Sequence, residues 1–124
     1  MIYAVLCYAS EDAVAAWSKE KDDEVIANLV AIQKRYAQAG RLGPVARLLP
    51  TTAATTLRKT GNETLILDGP FAETKEQLLG FYTIDCANLD EAVAFARELS
   101  EANPASGSYE IRPVGLLNPV APTL

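Results

Sequence analysis

Apolar and polar positions alternate in short runs along most of the chain and give way to longer helical stripes in two places. Residues 2–8, Ile-Tyr-Ala-Val-Leu-Cys-Tyr, are apolar on both alternating faces, the pattern of a strand covered on both sides in the middle of a sheet. Ser10-Glu11-Asp12 offers a helix start with negative charge where the helix dipole favours it, and Val14 and Trp17 follow at helical spacing. The charged stretch Ser18 to Glu24 is expected to interrupt that helix. Val25, Leu29, Ile32 and Tyr36 then form an amphipathic stripe, and Gly40 is placed to supply the left-handed residue that ends it.

Val45 to Leu49 reads as a short strand before Pro50. Residues 55–67 read as a hairpin, with β-branched Thr55 and Thr56 opening the first strand, Thr60-Gly61-Asn62 turning, and Thr64-Leu65-Ile66-Leu67 returning. Asp68-Gly69-Pro70 breaks the second strand, because proline cannot donate to the ladder, so Phe71 to Gln77 is loop or a single turn. Leu79 to Cys86 alternates as a strand, and Gly80 inside it marks a bulge or a close approach by another backbone or a ligand. Asn88 with Glu91 resembles a capping box, Leu89, Val93, Ala96 and Leu99 form a second helical stripe, and Asn103-Pro104 ends it. Ser108 to Arg112 makes a final strand. The order predicts an α+β fold, the ferredoxin-like split β-α-β plan with an inserted hairpin, over residues 1–115, followed by a proline-rich tail at 116–124.

The 124 residues, 49% of them apolar, suffice for one domain with a core that needs no metal or disulfide. Eleven basic against 16 acidic residues leave a net charge of −5, the wrong sign for neutralising phosphates along nucleic acid. No apolar run approaches the roughly 20 residues of a membrane-spanning helix. Two cysteines make no disulfide framework, and the N-terminal sequence lacks a secretory pattern, so a reducing, cytoplasmic setting is expected. With no phosphate-cradling glycine loop, zinc spacing or calcium loop, no metal or other cofactor is expected.

The run Asp68-Gly69-Pro70-Phe71-Ala72-Glu73-Thr74-Lys75-Glu76-Gln77 resembles the signature of DGPF-domain proteins, a branch of the YCII-related family. Thr55-Thr56 before it, Gly80-Phe81-Tyr82 and Leu89-Asp90-Glu91-Ala92 after it, and Glu110-Ile111-Arg112-Pro113 extend the resemblance over nearly the whole chain. It implies a homodimer whose sheets pack face to face as a dimeric α/β barrel, with a cleft in each subunit. Relatives proposed to be enzymes carry a histidine and aspartate pair in that cleft, and this chain has no histidine. DGPF proteins are also often encoded near alternative sigma factors.

Asp68 is the first candidate site residue: a carboxylate at a strand end could face a cleft and act as general base, while turn chemistry explains the same Asp-Gly pair. Arg112 offers a fixed positive fork for an acidic ligand or for an ion pair with Asp68 or Glu110. Glu73 and Lys75 could form a polar lip, Lys75 attracting an anion, whereas Glu76 reads as solvated surface. Tyr8 and Tyr82 lie where a phenol could donate to a substrate oxygen or equally cap the core with its hydroxyl in water. Phe71 is expected to pin its loop to the core, Cys7 to be a buried small hydrophobe, and Cys86 to be the more exposed thiol. Two functions follow: a cofactor-free enzyme or binding domain for a small anionic organic molecule beside the motif loop, or a regulatory or accessory protein-contact module linked to an alternative sigma factor.

Overall fold

The computed structural model describes residues 1–117, so the expected tail at 116–124 lies almost wholly outside the described residues. The two-sided apolar strand β1 (Ile2–Ala9) is central, as its pattern requires: it pairs antiparallel with β5 (Gln77–Asp85) on one side and β6 (Gly107–Pro113) on the other. The strand β2 (Leu42–Arg47) completes the order β2-β5-β1-β6, which with the helices is compatible with a ferredoxin-like α+β fold. β2 starts at Leu42 rather than at Val45. Gly43 and Pro44 fall in an irregularity between Leu42 and Val45, and an edge strand tolerates a proline there. Gly80 meets both expectations. It lies beside the register shift at Cys7 and Tyr8, and a Cβ on it would collide with the backbone oxygen of Ala46 on β2.

Three helices are present among the described residues. Ser10 caps α1 (Glu11–Ala15) by accepting from the Ala13 amide at 3.2 Å. The stretch from Ser18 to Glu24 begins a new helix instead of interrupting one: Ser18 accepts from the Lys21 amide at 3.1 Å and caps α2 (Lys19–Gln38). Gly40 follows α2 with φ +71°, as expected. Asn88 caps α3 (Leu89–Ala102), accepting from the Glu91 amide at 3.0 Å, while the Glu91 carboxylate accepts from the Ala87 amide at 2.7 Å. The buried stripe of α3 is Ala92, Phe95, Ala96 and Leu99, rotated from the expected set; Leu89 is exposed. Phe95 fixes this rotation by meeting Tyr36 and Tyr82 edge to face, with ring centroids 4.7 and 5.7 Å away. No helix among the described residues is long and apolar enough to cross a membrane.

The helices cover one face of the sheet, over Tyr3, Val5, Tyr82 and Ile84, with Leu29, Ile32, Tyr36, Tyr109 and Ile111 packed around them. Alternation sends Ile2, Ala4, Leu6 and Phe81 to the opposite face, where they are half-buried. Between β2 and β5 the chain makes a 3-10 turn (Thr51–Ala53) and then a separate two-stranded hairpin, β3 (Thr55–Thr60) with β4 (Glu63–Asp68). Gly61 turns it with φ +62°. Leu57 pairs with Ile66 on one face and Leu65 and Leu67 lie on the other, so apolar side chains on both faces of this arm are exposed.

Candidate functional site

A cavity of about 270 Å³ lies between α2 and the helix-covered face of the sheet. Its apolar wall comes from the α2 stripe, with Val25, Ile26, Leu29 and Val30 on successive turns, and from Val14 and Trp17 at the joint between α1 and α2. Its polar groups come from the strands and helix ends. Cys7 and Tyr109 are register partners on β1 and β6, Tyr82 stands on β5, Gln33 on α2, and Asn103 at the end of α3.

Burial pushes the Cys7 thiol up to about 12. Burial also raises Tyr109 to about 12, with Cys7 and Tyr82 adding to the effect and Asn103 opposing it. Tyr82 is raised for the same first reason, with Gln33 acting against burial. The thiol and both phenols are therefore uncharged at neutral pH. A second, more open recess of about 600 Å³ shares Val14, Trp17, Asp22, Arg47 and Leu79 with the cavity. Across this shared wall Arg47 of β2 reaches Asp22 of α2 at 3.4 Å, and the Lys21 ammonium sits 5.2 Å from the centroid of the Trp17 ring.

Of the six site residues expected from the sequence, only Tyr82 lines the cavity. Asp68 ends β4 and is exposed, so the burial that would make it a general base is absent there. Its surroundings are those of a turn. Gly69 has φ +98°, its amide donates to Ala54 at 2.7 Å, and the Thr56 hydroxyl donates to its carbonyl at 2.8 Å. Glu73 and Lys75 are exposed on the following loop, whereas Glu76 is half-buried and accepts from the Ser108 hydroxyl at 2.7 Å. Tyr8 and Arg112 lie on the open side of the sheet. Tyr8 donates to Glu110 at 3.5 Å, and Arg112 makes no ion pair among the described residues. Asp68 and Arg112 thus stand in different sheets.

Two further expectations are corrected. Phe71 is 77% exposed and does not pin the loop to the core, because no layer among the described residues lies over the arm to receive it. Cys86 is buried under α3, with the Arg41 guanidinium 3.5 Å from its sulfur, while Cys7 is the less buried thiol because it borders the cavity. Cys7, Gln33, Asn103 and Tyr109 were not among the expected site residues. Tyr109 carried a signal: alternation in Ser108 to Arg112 puts it and Ile111 inward. The two amides carried none. Among the described residues no group of three histidine, cysteine or carboxylate side chains could hold a metal ion.

The family model described as the YCII-related domain matches residues 1–118. A protein of Rhizobium meliloti (strain 1021) described as uncharacterized is 65% identical over 119 residues, covering 96% of this chain and 96% of the relative. The elements run in the order βααββαβ around an inserted hairpin, and these matches show that the chain belongs to the YCII-related family.

Proposed function

We propose that this protein binds a small organic molecule in the cavity between α2 and the sheet. The observation that carries this reading is the convergence of three protonated hydroxyl or thiol groups and two amides on a mainly apolar recess whose charged side chains, Asp22 and Arg47, face each other at its edge, the usual composition of a ligand pocket. Cys7 and Tyr109, both pushed up to about 12, are far from the neutral range in which a general base works best, which favours binding over turnover. A thermal-shift screen tests it, since a ligand that binds only the folded state raises apparent stability. The expected result is a shift that disappears in Val30→Phe, which narrows the cavity from α2. A shift that survives Val30→Phe unchanged would place the ligand elsewhere.

The open face of the sheet, with Ile2, Ala4, Leu6 and Phe81 half-buried and no helix among the described residues over it, supports a second proposal: a homodimer with two sheets face to face. Light scattering at micromolar concentration should give a dimer, and Leu6→Lys should give a monomer. The accessory-module reading is favoured by one observation, the exposed Leu57, Leu65, Ile66 and Phe71 of the arm and its loop. It requires that Ile66→Asp abolish a protein contact while leaving the thermal shift intact.

A further inference from the structure

Every polar group on the cavity wall is either uncharged or paired within the wall. Cys7, Gln33, Tyr82, Asn103 and Tyr109 carry no charge at neutral pH, and among the described residues the only charged side chains lining the space, Asp22 and Arg47, face each other at 3.4 Å. A carboxylate entering this space would give up water, and the one cation on the wall among the described residues, Arg47, already faces Asp22 and keeps most of its side chain in solvent, a combination that disfavours the charged form. An acceptor oxygen on an uncharged molecule meets phenol hydroxyls able to donate to it, and the aliphatic face of α2 covers the remainder.

We propose that the cavity takes an uncharged, mainly apolar molecule bearing one or two acceptor oxygens, to which the Tyr82 and Tyr109 phenols donate; the proposal rests on the cavity being the binding site. It departs from the anionic ligand that Lys75 and Arg112 bring to mind in the sequence, because neither side chain reaches this space.

The chain contains one tryptophan, Trp17, and it lines the cavity, so its emission reports occupancy without a label. Titration of the full chain at neutral pH with methyl cyclohexanecarboxylate and with cyclohexanecarboxylate compares two probes that share a carbon skeleton and differ in charge. The ester should change Trp17 emission saturably and bind at least about tenfold more tightly than the carboxylate, a difference of about 1.4 kcal/mol. Tyr82→Phe and Tyr109→Phe, tested singly, should each weaken ester binding several-fold and leave the unfolding midpoint nearly unchanged. A carboxylate that binds as tightly as the ester would overturn the uncharged class while leaving the cavity as the site. Ester binding unchanged in both phenylalanine variants would overturn the role of the phenols. No change in Trp17 emission with either probe would overturn the cavity reading itself.

Discussion

The helix-covered side of the sheet and the β3–β4 arm draw on the same residue types and give them opposite surroundings. Phe95 is fully buried between Tyr36 and Tyr82, and Phe71 is largely in water; Ile84 on β5 is fully buried, and Ile66 on β4 is exposed. Side-chain hydrophobicity is equal within each pair. The difference lies in the layer above: α2 and α3 cover the first region, and neither face of the arm has such a cover among the described residues. A hairpin of two strands is marginal by itself in water, and the bonds that join Ala54 and Thr56 to Gly69 close the base of this arm.

The largest effect expected from this contrast is on stability. Phe95→Ala should cost about 3–5 kcal/mol, the range for emptying an aromatic core position, measured by denaturant unfolding. Phe71→Ala should change stability by no more than about 0.5 kcal/mol. Equal costs would mean that the arm is packed in solution and would erase the contrast. Gly80→Ala should cost about 1–3 kcal/mol, because the added methyl meets the Ala46 carbonyl and the β2 and β5 backbones must part to admit it.

A smaller effect follows from the protonated groups on the cavity wall. Cys7 in the unfolded chain loses its proton near 9.0 and in the folded chain only near 12, so the folded state binds more protons between those values. Stability should therefore be intact below pH 9 and fall as pH rises towards 12. Cys7→Ala should flatten that decline in an alkaline melting series; an unchanged slope would mean that the thiol is not buried as described. The smallest effect concerns the motif loop. Asp68→Asn should change stability by about 0.5 kcal/mol at most and leave ester binding at Trp17 unaltered. A loss of binding there would return the site to the arm.

The elements legible in the sequence are those whose cause is local. Two-sided apolarity identified β1 as central, the Gly61 turn defined the hairpin, and the spacing of Val25, Leu29, Ile32 and Tyr36 defined the inward face of α2. Ser18 was harder, because the charged run behind it reads equally as loop and as the acidic first turn of a capped helix. The rotation of α3 depends on where the Tyr36 and Tyr82 rings stand, which no local spacing encodes. The candidate site was the least legible part. Its polar groups come from β1, β5, β6, α2 and α3, and they meet only because α2 stands off the sheet at that place. The run Asp68 to Gln77, which resembles the DGPF signature, lies at the end of the arm and in its loop instead, where Gly69 has a turn's positive φ.

The ion pair between Arg47 and Asp22 carries a kinetic consequence. Both side chains are partly in solvent, and such a pair is worth only about 0–1 kcal/mol, far less than global unfolding costs. The contact between Arg47 and Asp22 should therefore open and reform many times during the lifetime of one folded molecule. That opening is a local event, one that added salt favours while the melting temperature stays nearly where it was.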